Sequence, residues 1–373
     1  IQTLETRGLL DRAVEYLPDD MALTERRRRS QPFTRPELAV LLAYAKLTLY
    51  DDLLESAVPD DPYLGRELGR YFPKAIAEHY PDALEHHRLR REIIATQLAN
   101  SMINRGGPSL IVRIADQTGA LPAAIAQAFA AVRDSYGMTA LNAAIDSLDN
   151  KIFGKLQLDL YAAVQDLLLD RIIWFLRNID LSKGLVDVVT HYRDGIAAVT
   201  GVLDSSLSQD SLNARAQRRQ ELAKAGVPET LAGRIANLRP LTAAPDIVLV
   251  ADRTSQPVGA VAATYFAAGA FFRLDSIAAA AENIPVADYF DRLALGRARD
   301  SIGDAEQRLA AAMMGNGAAG NSAVGTGAVE AWVAPRKNEV ERIRMAIHEI
   351  ANSGLTLSKL SVAASLLGDL VKN

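Results

Sequence analysis

The chain has 373 residues, 49% hydrophobic and 23% charged, enough for a substantial core in one large or two ordinary domains. Its 41 basic and 45 acidic residues leave a net charge of −4, which argues against a protein built to coat nucleic acid or an anionic membrane. Cys is absent, so a disulfide framework, a thiolate metal site and a cysteine nucleophile are excluded, and a reducing cytoplasm fits.

The opening residues Ile1-Gln2-Thr3-Leu4-Glu5 carry neither an initiator Met nor a basic-then-apolar leader. Ile1, Leu4, Leu9 and Leu10 already show helical spacing, and we read the chain as a piece of a longer polypeptide. Thr34-Arg35-Pro36-Glu37 is a capping box, with Pro36 tolerated in a first turn whose amides have no intrahelical partner. Leu38, Leu41, Leu42, Ala45 and Leu49 then form one apolar stripe. The next long helix holds Leu89, Ile93, Ala95, Leu98 and Ile103 and stops at Gly106-Gly107-Pro108. A third runs from about Lys155 to Asn178, with Leu156, Leu160, Val164, Leu167, Leu168, Ile172 and Phe175 on its apolar side.

Ile247-Val248-Leu249-Val250 has the β-branched content of a strand, but an internal echo favours helix. At one constant offset, Ile111 to Thr118 matches Ile247 to Thr254. Without a gap, Ile125 then faces Val261, Phe129 faces Tyr265, Tyr136 faces Phe272, Met138 faces Leu274 and Leu141 faces Ile277. Matches at three- and four-residue steps are helix core positions, and they predict a duplicated unit of about three helices. Pro257 to Phe272 is uncharged but shorter than the roughly 20 residues a membrane span needs, so it reads as buried helix. Gly315 to Gly327 reads as a flexible link, followed by helices over Val329 to Asn352 and Leu357 to Val371, with Gly354 between them.

The candidate chemistry is thin. Gly315-Asn316-Gly317-Ala318-Ala319-Gly320 fits G-x-G-x-x-G, but a dinucleotide turn must follow a strand, and this one follows the helical Ala310 to Met314. His79, Asp82 and His86 have metal-like spacing, which Pro81 interrupts and the following arginines oppose. Asp19-Asp20, Asp51-Asp52 and Asp60-Asp61 sit at helix ends, where they complement the dipole or face water. Arg26 to Arg29 reads as a solvated helix end. Arg88, Arg90, Arg91 and Glu92 crowd one end of an apolar helix, as either an interface cluster or an exposed face. Trp174 and Trp332 read as packing anchors. No catalytic, cofactor-binding or metal-ligating residue is assigned.

Six stretches carry a resemblance that extends over nearly the whole chain. They are RGLLDRAVEYLPDD from Arg7, TRPELAVLLAYAKLTLYDDLL from Thr34, DDPYLGRELGRYFP from Asp60, HRLRREIIATQLANSMINRGGP from His87, DRIIWFLRN from Asp170 and the closing LSKLSVAASLLGDL. Together they resemble the C-terminal helical region of the large bacterial NAD-specific glutamate dehydrogenases. The resemblance implies an intact enzyme that deaminates L-glutamate oxidatively to 2-oxoglutarate and ammonia, with glutamate and NAD bound upstream of this region. It implies as partners the catalytic domain of the same polypeptide and further copies in a homo-oligomer, with no nucleic acid and no membrane, in the cytoplasm. No catalytic Lys or Asp motif of such enzymes can be placed here. The alternative is a stand-alone helical adaptor for other proteins.

The expected fold is all-α, a multi-helical array of about a dozen or more helices with an internally duplicated unit. The expected segments are an N-terminal lobe over 1–205, a second lobe over 206–314, a link over 315–327 and C-terminal helices over 328–373.

Overall fold

The computed structural model describes residues 1–315 and 323–371, and the described residues are helical with no strand. The first helices are α1 (Gln2–Thr6), α2 (Asp20–Arg28), α3 (Arg35–Leu54), α4 (Arg66–Tyr71), α5 (Lys74–His79), α6 (Pro81–Glu85) and α7 (Arg90–Gly106). Next come α8 (Leu110–Thr118), α9 (Pro122–Ser135), α10 (Met138–Asp146), α11 (Gly154–Asn178), α12 (Leu185–Ser206), α13 (Gln209–Lys224) and α14 (Glu229–Leu241). The last are α15 (Ala244–Thr254), α16 (Val258–Phe271), α17 (Leu274–Ala281), α18 (Tyr289–Gly315), α19 (Thr326–Val333), α20 (Lys337–Asn352) and α21 (Leu357–Leu370). The fold is therefore all-α, as expected.

The chain forms two compact units. One comprises Ile1–Asp134 and Val164–Val189, the other Ser135–Ala163 and the chain from Thr190 on. The units interleave along the sequence, which a reading of composition cannot reveal. At the expected boundary near Ser205, α12 continues to Ser206, and the Ser208 side chain accepts from the Ser211 amide to cap α13.

In the first unit α3 lies along α7. The capping box is present: the Glu37 amide donates to Thr34, and the Glu37 carboxylate accepts from the Thr34 amide at 2.7 Å. Arg26 also reaches Glu37 at 2.8 Å, and these bonds hold its carboxyl down at about 2. The apolar stripe is buried only towards its C-terminal end. Leu49 and Leu53 are fully buried, Leu41, Leu42 and Ala45 are half-buried, and Leu38 is exposed. α7 buries Ile93, Ile94, Ala95, Leu98, Ala99, Met102 and Ile103, and it ends where Gly107 turns to a positive φ of 86° ahead of Pro108.

Two hydrophobic cores pack among the described residues of the second unit. Ile196, Val199 and Leu203 of α12 meet Ile247 and Val250 of α15, Val261 and Tyr265 of α16, and Ala310 and Met314 of α18. Phe272, Leu274 and Ile277 meet Leu309 and Met313 of α18, Trp332 of α19, Ile343 and Ile347 of α20, and Leu360 and Leu367 of α21. α18 contributes to both. The single helix expected from Val329 to Asn352 is instead two, α19 and α20, joined by a 3₁₀ turn over Ala334–Arg336. Pro335 is the reason, since it has no amide to donate and its ring would clash with the Ala331 carbonyl. Of the expected link, residues 316–322 lie outside the described residues. Gly315 closes α18, and the Gly325 amide donates to Thr264 Oγ1 at 3.0 Å as α19 begins.

The helix boundaries follow the internal echo. α8 ends at Thr118 and α15 at Thr254, α9 spans Pro122–Ser135 and α16 Val258–Phe271, and α10 starts at Met138 and α17 at Leu274. Each of these pairs keeps the offset seen in the sequence. The connections correspond too: Gly119 and Ser255 both take φ near +60° (71° and 52°), as do Gly137 and Arg273 (61° and 55°). Thr118 and Thr254 each donate their hydroxyl to the carbonyl four residues back at 2.7 Å. Ile125 and Val261, Phe129 and Tyr265, and Leu141 and Ile277 are buried as pairs. A fourth helix joins the unit, because α11 and α18 start and end within a residue of the same offset.

The left-handed turn after α8 is carried by glycine, whereas the one after α15 is carried by Ser255. A left-handed L-residue costs roughly 1–2 kcal/mol. Ser255→Gly is therefore expected to raise the unfolding free energy by about 0.5–1 kcal/mol, and Gly119→Ala to lower it by about 1 kcal/mol or more, in denaturant titrations. Equal signs for the two changes would contradict the equivalence of these turns.

Candidate functional site

A dense polar arrangement in the first unit joins α4 to the C-terminal end of α9. Arg133 Nη2 donates to Glu67 Oε1 at 2.8 Å, and Arg133 Nε reaches Asp134 at 2.9 Å. Arg70 donates to the same Glu67 oxygen at 2.6 Å and to Asp134 at 3.3 Å, while the Tyr63 hydroxyl donates to Asp134 at 3.0 Å. The side chains of Arg133, Glu67 and Asp134 are only 6%, 2% and 8% exposed, so these charges depend on one another for solvation. The Arg133 guanidinium lies over the Phe129 ring, and its Nη1 is buried with no hydrogen-bond partner. Burial alone would raise the Asp134 carboxyl, but the Arg133 bonds and the Arg70 and Arg66 charges outweigh it and hold Asp134 below the usual range. Burial and then the Asp134 charge push the Tyr63 phenol up to about 12.

The arginine cluster at the start of α7 is engaged within its own unit. Arg90 donates to the Pro59 carbonyl at 2.8 Å. Arg91 pairs with Asp60 and donates to the Leu54 and Ser56 carbonyls at 2.8 and 3.1 Å, covering the C-terminal end of α3. Arg88 is exposed. In the run from Arg26 to Arg29, Arg26 is held by Glu37, and Arg28 and Arg29 by Glu25.

The remaining candidates have structural partners. His79 is the last residue of α5 and His86 follows the end of α6, and each Nδ1 meets the carbonyl four residues back at 2.8 Å. No group of three or more His, Asp or Glu among the described residues could hold a metal ion. Asp19 caps α2 through the Ala22 amide at 2.7 Å, Asp52 pairs with Arg7 at 2.7 Å, and Asp61 accepts from the Tyr63 amide at 2.8 Å. Trp174 packs edge-on to Phe175, and Trp332 is buried beneath Arg336.

A groove of about 750 Å³ runs between α13 and α14, lined in part by Asp204, Arg215, Arg219, Lys224, Glu229 and Asn237. Arg215 is paired with Asp204, and Arg219 with Glu229 at 2.9 Å, so its charges largely neutralise each other.

Sequence reasoning missed a second polar group, in the second unit. Asp246 of α15 is buried and accepts from Gln307 of α18, which is also buried. The neighbouring Glu306 carboxyl is raised well above its ordinary value by burial first, then by the Asp275 and Asp246 charges. Burial, with Asp252 and Asp246 beside it, likewise raises the Tyr192 phenol. The available signal was Glu306 itself, which stands in the apolar spacing of Ile302, Leu309 and Met313.

A family model described as "Glutamate dehydrogenase, C-terminal" matches residues 30–369. The chain belongs to this family. It is 35% identical over 353 residues to an NAD-specific glutamate dehydrogenase of Halomonas elongata, covering 94% of this chain and 22% of that protein. It is 35% identical over 371 residues to the protein of that name in Pseudomonas aeruginosa, covering 99% of this chain and 23% of that protein. A Mycobacterium tuberculosis relative of the same name is 28% identical over 362 residues, with 96% and 22% covered. The chain thus spans less than a quarter of the length of these relatives.

The buried ion pairs of the first unit give a measurable asymmetry. Glu67→Gln or Arg133→Met alone removes one partner from a buried charge network and is expected to cost up to about 3–5 kcal/mol in unfolding titrations, less where Asp134 or Arg70 still compensates the remaining charge. The double variant is expected to cost clearly less than the sum of the two, and strict additivity would contradict the coupling. Because Asp134 is depressed in the folded chain, its contribution is present above the ordinary carboxylate range and is lost as pH falls through its folded value. Asp134→Asn should flatten that acid limb.

Proposed function

We propose that this chain is the C-terminal helical region of an NAD-dependent glutamate dehydrogenase, in which it braces the catalytic domain and helps assemble a homo-oligomer. In this reading the intact polypeptide deaminates L-glutamate oxidatively to 2-oxoglutarate and ammonia. Its catalytic residues and its NAD site lie outside this segment, and it works in the cytoplasm. The observation that carries the reading is coverage: 94–99% of this chain aligns with 22–23% of enzymes named NAD-specific glutamate dehydrogenase.

The described start of the G-x-G-x-x-G pattern, Gly315, does not fit a pyrophosphate turn for NAD. A pyrophosphate turn needs a strand before it and a helix N-terminus after it, so that amides and the positive end of the dipole face the phosphates. Gly315, the first residue of the G-x-G-x-x-G pattern, is the last residue of the 27-residue α18. A chain arriving there comes from the carbonyl-bearing, negative end of a helix. The rest of the pattern, Asn316 to Gly320, lies outside the described residues.

No described helix is long and apolar enough to cross a membrane. The near-balanced charge and the engaged arginines of α2 and α7 favour protein contacts within one enzyme over a polyanion partner.

Deleting this segment from the intact polypeptide tests the proposal. The expected result is a truncated protein that loses its oligomer in size-exclusion chromatography with light scattering, or loses solubility. A truncated enzyme with unchanged oligomer, solubility and glutamate oxidation would rule the bracing role out.

A further inference from the structure

α18, like α16, contributes to both cores described in the second unit, and one of its inward positions carries a carboxyl. Ile302, Glu306, Leu309 and Met313 succeed one another at helical spacing. Glu306 is half-buried as a residue, yet its carboxyl oxygen lies over α16 at Gly269, which is itself buried. A Cβ at Gly269 would sit 2.8 Å from Glu306 Oε1, so the absence of a side chain there is what admits the carboxyl. Beside it, the buried Gln307 amide donates to the buried Asp246 carboxylate of α15.

Among the described residues, three helices present a polar group to Glu306. α16 offers the Tyr265 hydroxyl, which hydrogen-bonds it and favours the ionised form, and α16 carries no charged residue. α15 offers Asp246, and α17 offers Asp275, whose carboxylate accepts from the Ser211 hydroxyl of α13 at 2.9 Å. Both are acidic. On α18 itself Asp304 and Arg308 are exposed, as are Glu330 of α19 and Asp369 of α21. Lys359 of α21 is bound to the Ser353 and Gly354 carbonyls at 2.8 and 2.9 Å.

We propose that the seating of α18 on α15 and α16 is proton-linked, with the Glu306 carboxyl over Gly269 as the group that holds the proton. Ionisation there would place a third negative charge beside Asp246 and Asp275 on an apolar helix face. The helix then gains by exposing Glu306 to water, and the α16–α18 contact loosens. Burial, the Asp275 charge and the Asp246 charge all act to keep the folded carboxyl protonated above its ordinary range. A group raised in this way contributes stability that is present at low pH and lost as pH rises through its folded value.

Hydrogen–deuterium exchange of the 373-residue chain between pH 5 and 9, corrected for intrinsic rates, tests the proposal. Protection in α16 and α18 is expected to fall with rising pH, by up to about tenfold per pH unit for a single proton, while α3 and α7 of the first unit hold. Glu306→Gln, which keeps the shape and removes the charge, should abolish the fall. Asp275→Asn, which removes an exposed acidic neighbour, should move its midpoint to lower pH. Flat wild-type protection across the range, or a parallel fall in Glu306→Gln, would overturn the proposal.

Discussion

The second unit depends on how close α18 can come to its neighbours. A helix shared by two cores has little of its circumference left for water, so its inward positions must be apolar, small or matched to a specific partner. Ala298, Ala305 and Ala310 supply small surfaces, and Leu309 and Met313 fill the second core. The two polar exceptions, Glu306 and Gln307, are each answered on a different helix, by Gly269 of α16 and Asp246 of α15. Close approach recurs where α12 crosses α15, since a side chain at Gly195 would collide with Val248. The cores of this unit therefore rest on a few bare backbone positions as much as on large apolar residues.

The two copies of the repeated helices solve one problem differently. The position occupied by Arg133 on α9 corresponds, at the offset of the repeat, to Gly269 on α16. Each faces a carboxyl from another helix. Arg133 meets Glu67 with a guanidinium and forms a hydrogen-bonded ionic group, whereas Gly269 meets Glu306 with empty space. The first solution is a charge cluster, in which Arg133, Arg70 and Arg66 hold the buried Asp134 below the usual carboxylate range. The second leaves the carboxyl to be neutralised by a proton. The shared helix boundaries and left-handed turns show that the backbone plan was kept while the buried chemistry diverged.

Local rules made much of the fold legible in the sequence. The capping box at Thr34, the glycine stop at Gly107 and the extent of α11 are set by residues within a few positions of one another, and they appear as expected. The repeat was legible because it depends on periodicity, although only three of its four helices showed. The rest depends on partners distant in sequence. Nothing near Arg133 identifies Glu67 as its partner, and nothing near Arg91 shows that it covers the end of α3 rather than facing another domain. The interleaving of the two units is of the same kind. The break at Pro335 was within reach of local reasoning, because proline in a helix interior is a stop signal that the apolar spacing around it had masked.

On the functional side, the quoted stretches are no guide to mechanism, and what they locate is the family, whose C-terminal model matches residues 30–369. Arg26, Arg90 and Arg91 hold helices together within their own unit, and the one glycine pattern of dinucleotide type begins at the wrong end of a helix. The central claim is that these helices work as part of a far longer enzyme. The size of the native polypeptide tests it most directly, by immunoblot of source-cell lysate with antibody raised against this chain. A band several-fold larger than 40.3 kDa is the predicted result, and a single band at 40.3 kDa would contradict the account.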